Sequence, residues 1–404
     1  MASRARPHVL IVHHTWDAAE PGGVVAMIQD LLGGLEPVQP CSLLIESWPD
    51  RQPRALQDRD GRCYYRLRLS APPEASVAPR ALLAWLIRLP SAVWRLRRFC
   101  RARGIDVAHL HYPTPSYLTF ALCHAIGGPP YIATCHRGDI EGFPAYGPLG
   151  RWAVRWTLRR AAAVTAVSDW LGRQAMDTVG LREQPITIAN GYTPKPIGAH
   201  RGESIEAALS AGDYAILVGN CRPYKGHDIA LRAWVQISKQ QPKLALVIVG
   251  GGPGLEEMKT LAESLGISER VHFLGHLPRA RTTALIAAAR LLVAPSRNEG
   301  QGIVILEAGE ACTPVVCSNI PPFLEMIRNG KYGYIFNSED PTALAQAVND
   351  VIADPIEARR RAMQLRQDVQ QHYTVAAMVS AYQNLYDEAR AANLKRTPPL
   401  PSKA

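Results

Sequence analysis

Short apolar runs alternate with amphipathic stretches along almost the whole chain, the pattern of parallel strands joined by crossover helices. Residues 8–13 read as a strand and 24–35 as a helix behind the turn Pro21-Gly22-Gly23. Further strands are predicted at 106–111, 131–135, 163–167 and 186–189, with helical stretches between most of them. Around 191–202 the sequence GYTPKPIGAHRG is rich in Pro and Gly, as an interdomain linker would be. The alternation then restarts, with strands at 214–218, 244–249, 271–274, 291–294, 315–317 and 334–336. Helices are predicted near 226–240, 254–265, 302–312 and 341–353. This divides the chain into domains of 1–195 and 196–374. A last helix over 375–391 is expected to pack back on the first domain, and the tail 392–404 to be disordered.

Composition narrows the class. A chain of 404 residues is too long for one ordinary core, and 47% hydrophobic with 20% charged residues is globular. No apolar run is long enough to span a bilayer. The opening MASRARPHVLIVHH moves straight into a strand-like run without the apolar region of a signal peptide, so a cytoplasmic location is expected. Eight cysteines with no C-x-x-C pair read as reduced, mostly buried thiols. A net charge of +10 asks for anionic partners.

Three segments carry candidate chemistry. In APSRNEGQGIVILEAGEACTPVV a strand ends, a loop carries Glu299, and a helix begins near Gly302 with Glu307 inside it. Gly300 and Gly302 let backbone approach a ligand and leave free N–H groups at a helix start, an anion site. Taken by spacing alone, the two glutamates read equally well as solvated surface residues. ILVGNCRPYKGHDIALRAW places Arg222 and Lys225 on a strand-to-helix loop, where a pyrophosphate would sit at the carboxyl end of a parallel sheet. LVIVGGGPG sets Gly252 among four glycines after a buried strand.

Together these segments make the chain similar to the family-four retaining glycosyltransferases with the GT-B fold. Glu299 and Glu307 match the family's E-x7-E motif, YKGHD its Lys-Gly element, and VGGGPG, HFLGHLP and CTPVVCSNIPPFLEMI match too. In the first half the Gly22-Gly23 turn, AHLHYP, TCHRGD, VTAVSDWL and IANGY match, so the likeness covers roughly residues 8–390. It implies an α/β protein with two Rossmann-like domains facing across a cleft. The donor would be a nucleotide-diphosphate sugar, the acceptor a glycan or lipid-linked glycan, and no metal or further cofactor would be needed. By the same resemblance Glu307 would bind ribose hydroxyls and Glu299 the transferred sugar. Backbone around Gly300, Gln301, Gly302 and Ile303 would hold sugar and phosphate, with Gly252 also at the donor. Lys225, with Arg222, would neutralise the leaving diphosphate, Gly22 and Gly23 would bring amides to the same phosphates, and His136 would point toward the sugar. A nucleotide-sugar epimerase and a catalytically inactive scaffold are the alternatives.

The sequence departs from the family in two places. The Arg that usually follows the first strand's Gly is Asn220 here, with Arg222 two residues on, and Pro321-Pro322-Phe323 predicts a stiff loop where relatives have a Gly-rich turn. His109 and His111 share a strand face, but no third metal ligand is evident. Ser168 reads as a helix N-cap.

Residues 79–103 hold seven arginines, no acid, Trp85 and Trp94, and Pro90 is expected to split them into two amphipathic helices. GRWAVRWTLRR adds Arg151, Arg155 and Arg159 beside Trp152 and Trp156. These stretches suit an anionic membrane, at the inner face of the plasma membrane. No base-reading motif is present, so nucleic acid is not expected as a partner.

Overall fold

The computed structural model describes residues 6–16, 23–47, 49–58, 61–73, 79–193 and 213–396. They form two compact units, one of residues up to Gly191 together with those from Val375 onward, the other Tyr192–Thr374. The predicted linker lies mostly outside the described residues.

The first unit holds eight strands: β1 (Val9–His13), β2 (Cys41–Glu46), β3 (Arg54–Gln57), β4 (Cys63–Leu67), β5 (Val107–His111), β6 (Tyr131–Cys135), β7 (Ala163–Ala166) and β8 (Ile186–Thr187). Their order across the sheet is β3-β4-β2-β1-β5-β6-β7-β8, and only the β3–β4 pair is antiparallel. Every residue of β1, β5 and β6 is buried, as expected of parallel strands covered on both faces. Val9 and Ile11 pack with the helices Gly23–Leu35 and Val375–Arg396. Leu10 and Val12 turn the other way, toward helices Pro79–Arg103, Leu118–Ala125, Pro148–Arg160 and Asp169–Val179. Ser168 caps the last of these, its Oγ accepting from the Leu171 N–H at 3.2 Å.

The second unit holds β9 (Tyr214–Val218), β10 (Ala245–Val249), β11 (Val271–Gly275), β12 (Leu291–Ala294), β13 (Val315–Ser318) and β14 (Tyr334–Phe336). Their order is β11-β10-β9-β12-β13-β14, parallel throughout. The Tyr192 N–H donates to the Tyr373 carbonyl at 2.8 Å, tying the two ends of this unit together.

Several elements differ from the sequence reading. β2, β3 and β4 were not expected, because β2 has only three consecutive buried residues and β3 is largely exposed. Pro355–His372 is an 18-residue helix hidden by its polarity, burying only a thin stripe of Ala358, Ala362, Leu365, Asp368 and Val369. Pro90 does not split its segment, since Pro79–Arg103 is one continuous helix. Pro90 is exposed, and so is Leu86, whose carbonyl its missing N–H leaves without the helical bond. Pro321-Pro322-Phe323 is not a stiff loop but the first turn of a short helix, Pro321–Met326, where a missing N–H removes no bond. The final helix is anchored in the core by Tyr382, Tyr386 and Ala389 and runs to Arg396, past the expected end at 391 and into the expected disordered tail. The rest of the tail, 397–404, lies outside the described residues.

Candidate functional site

In the second unit the chain runs outward from the β9–β12 pair in both directions, so the loops leaving these neighbours diverge and open a crevice at their carboxyl ends. The loop after β9 carries Lys225 and the loop after β12 carries Glu299. Lys225 Nζ donates to Glu299 Oε1 at 2.6 Å, and Ser296 Oγ donates to the same oxygen at 2.9 Å. Their side chains are 20% and 11% exposed, which leaves a cation and a carboxylate facing the crevice from a largely dehydrated base.

Two features hold the loops in register. A Cβ on Gly226, at φ +68°, would sit 2.0 Å from the Pro295 carbonyl oxygen, so only glycine permits this backbone approach. Arg297 then bridges them: its guanidinium is bidentate to Asp228 at 2.8 Å on each arm and donates to the Pro223 carbonyl at 2.6 Å. Its backbone N–H donates to the Tyr224 carbonyl at 2.7 Å. The Arg297 hydrogen bonds hold the Asp228 carboxyl below its usual pKa against the opposing effect of burial.

Beyond Glu299 the chain enters the helix Ile303–Ala311 through Gly302, at φ +101° and with no side-chain cap. The first amides of this helix therefore point toward the crevice with the positive end of its dipole. A Cβ on Gly302 would lie 2.5 Å from the fully buried Phe323 ring, which floors the turn. Gln301 is buried. Glu307 sits one turn into the helix, 12% exposed, with Arg279 Nε 3.9 Å from its Oε1. The same guanidinium lies over the Tyr192 ring at 5.1 Å.

The structure thus gathers Lys225, Glu299, Gly300, Gln301, Gly302, Ile303 and Glu307 along one loop-and-helix edge. Arg222 is exposed at the start of the Lys225 turn. Gly252 is exposed too, and a Cβ there would lie 3.3 Å from the Cys221 nitrogen, so that turn packs against the backbone beside Arg222.

In the first unit the equivalent divergence lies between β1 and β5, and histidines occupy it. His136 follows β6, and its Nε2 is 3.0 Å from His111 Nδ1. The His13 and His14 rings lie 4.4 Å apart, tilted by 43°, with the Tyr112 ring 4.7 Å from His14. Burial is the main cause that lowers the pKa of His13, His14, His111 and His136, and for His13 the value falls to about 4. Asp139 accepts from the backbone N–H groups of His136 and Arg137, yet burial raises its pKa to about 7. The sequence reading found His136 and missed His13, His14, Tyr112 and Asp139; the His-His pair closing the first strand was the available signal. Gly23 begins a helix, whereas Gly22 lies outside the described residues.

His109 is a satisfied core residue, with Nδ1 2.7 Å from Tyr386 Oη and Nε2 2.7 Å from Thr134 Oγ1. Among the described residues no group of three His, Cys, Asp or Glu is placed to hold a metal ion. No helix among them is long and apolar enough to cross a membrane.

Comparison with known proteins finds glycosyltransferases. Residues 206–368 match the family described as "Glycosyl transferases group 1", and residues 21–194 match "Glycosyltransferase Family 4". A GDP-mannose-dependent alpha-(1-6)-phosphatidylinositol monomannoside mannosyltransferase of Mycolicibacterium smegmatis is 29% identical over 66% of this chain and 72% of its own. Glycogen synthase of Mycobacterium tuberculosis is 28% identical over 79% of each chain. Among solved structures, sucrose-phosphate synthase from Thermosynechococcus elongatus superposes with a TM-score of 0.73 at 19% identity, over 96% of this chain and 100% of that one. The Anabaena protein HepE in complex with UDP and glucose gives 0.71 at 19%, over 97% and 100%.

Proposed function

This chain belongs to the family-four glycosyltransferases of the GT-B fold, and from that membership we propose that it moves a sugar from a nucleotide-diphosphate donor with retention of anomeric configuration. The acceptor in this reading is a lipid-linked or polysaccharide glycan of the cell envelope, glycosylated at the inner face of the plasma membrane. The observation that carries the reading is the Lys225–Glu299 pair at the strand divergence of the second unit.

As the glycosidic bond breaks, negative charge grows on the departing diphosphate. Lys225 and the uncapped amides at Gly302 and Ile303 supply fixed positive potential there, so no metal ion is called for. Glu299, oriented by Ser296 and Lys225, keeps oxygen lone pairs for hydroxyls of the transferred sugar. Glu307 takes the vicinal diol of the ribose. His136, neutral at pH 7 because of burial, offers the sugar a hydrogen-bonding imidazole rather than a charge. Retention follows from departure and attack on one face of the sugar, with the leaving phosphate taking the acceptor proton.

The reading is tested by incubating the protein with GDP-mannose and UDP-glucose and following nucleoside diphosphate release and the anomer first formed by NMR. Release with retained configuration is expected. An inverted first product would overturn retention, an epimerised donor would point to an epimerase, and no release with any nucleotide sugar would leave only a scaffold.

A further inference from the structure

The helix Pro79–Arg103 meets the protein differently along its two halves. Its second half buries Ala92, Val93, Leu96, Phe99 and Cys100 in the first unit's core. Its first half is held along one side, where the Trp85 indole N–H reaches the Ser70 carbonyl at 3.4 Å and Leu89 packs on the core. On the opposite side Leu82, Leu83, Leu86 and Ile87 stand in solvent at 41, 60, 49 and 69% exposure, and Trp94 continues the stripe at 55%. Contiguous aliphatic surface of this kind marks an interaction site.

Its charge names the partner. The helix has seven arginines and no acidic residue. Burial, and then the charges of Arg51, Arg88 and Arg95, hold the Arg68 guanidinium below its usual pKa, so two arginines of this helix add to a wider cationic surface. Arg98 lies over the Trp94 ring at 5.4 Å. The basic helix Pro148–Arg160 is different, because Arg155 and Arg159 donate to the Val179 and Gly180 carbonyls at 2.6 Å each, so backbone acceptors already engage them. A second copy of the chain would set one arginine-rich helix against another with no carboxylate between them. Nucleic acid would have no use for four exposed aliphatic side chains. An anionic bilayer satisfies both halves of the pattern: the stripe enters the acyl boundary while arginines reach lipid phosphates.

We propose that the exposed face of residues 80–98 is a membrane-docking element that inserts Leu82, Leu83, Leu86 and Ile87 shallowly into an anionic lipid surface. This rests on the proposed lipid-linked acceptor only for its purpose, and it is measured without donor, so the two readings fail separately. The experiment is co-sedimentation with phosphatidylcholine vesicles, with and without phosphatidylglycerol, at low and high salt. Wild type binds the anionic vesicles, weakens with salt as charges are screened, and keeps a residual apolar component. Replacing Arg80, Arg88, Arg95 and Arg98 together by Gln lowers low-salt binding by about a hundredfold or more, at about fivefold per arginine. Leu83→Ser with Ile87→Ser lowers binding by roughly tenfold or more at both salts, with all charges kept. Both variants keep the wild-type melting profile and donor hydrolysis, since they alter positions in the other unit from Lys225, all exposed but the half-buried Arg95. No wild-type binding to anionic vesicles would overturn the proposal, as would binding indifferent to both sets of changes. Retention of duplex DNA in place of vesicles, or a dimer that Leu83→Ser and Ile87→Ser dissociate, would overturn it in favour of those partners.

Discussion

At Lys225 the decisive quantity is charge in a dehydrated place. Its ammonium is 20% exposed and 2.6 Å from a Glu299 carboxylate, so its field on a departing phosphate is screened far less than a surface lysine's would be. Lys225→Ala is therefore expected to lower turnover by about 10²-fold or more with the fold intact. Turnover like that of wild type would remove Lys225 from the reaction. Glu307 poses a binding question instead. Glu307→Gln takes away one charged acceptor, and nucleoside diphosphate affinity is expected to fall by roughly 1–3 kcal/mol, read by calorimetry. An unchanged affinity would place the ribose elsewhere.

At the scale of elements, the site is two loops that must touch. Gly226 and Arg297 make them touch, one by yielding space to the Pro295 carbonyl and the other by clamping Asp228 and Pro223. Gly226→Ala sets a methyl group against backbone at a positive φ, so the loops separate and Lys225 loses Glu299. Activity should drop by about tenfold or more, by a kcat loss larger than any change in nucleotide affinity. Full activity in this variant would mean that the loop spacing is not what aligns the pair. This clamp was not legible in the sequence: Arg297 and Asp228 are 69 positions apart, each ordinary on its own. The E-x7-E spacing was legible because loop, glycine turn and helix are consecutive, so local geometry alone sets both carboxylates on one edge.

At the scale of the molecule, buried histidines make the first unit sensitive to acid. His13, His14, His109, His111 and His136 all have pKa values lowered by burial, to about 4 for His13 and about 3 for His109. The unfolded chain takes up protons below about pH 6.5 that the folded unit refuses, so stability is lost as pH falls from there toward about 4. Asp139 and Glu46, whose pKa values burial raises, oppose this, because their protons are held longer in the folded state. Five histidines outweigh two carboxyls, and melting temperature should fall steadily between about pH 6.5 and about pH 4.5. A flat or rising profile would contradict the burial of the cluster. Activity should meanwhile survive EDTA, because Lys225 and a helix terminus supply the positive charge; loss rescued by a divalent ion would overturn that reading.

The sequence by itself determined the class of architecture and the segments that form the candidate site. Both follow from short-range rules: short, continuous, β-branched apolar runs such as VLIV and LVIV suit strands buried on both faces, and glycine turns lead from a strand into a helix where ligands can bind. Tertiary structure decided the strand order that sets β9 beside β12, the continuity of the helix through Pro90, and the partners of each charge. Of the arginines that look alike in the sequence, Arg155 and Arg159 are consumed by carbonyls of a neighbouring loop, while Arg88 and Arg98 remain exposed. The reason is physical: local spacing fixes which face of an element a residue occupies, but only the packing of distant segments fixes whether water, backbone or an opposite charge waits there.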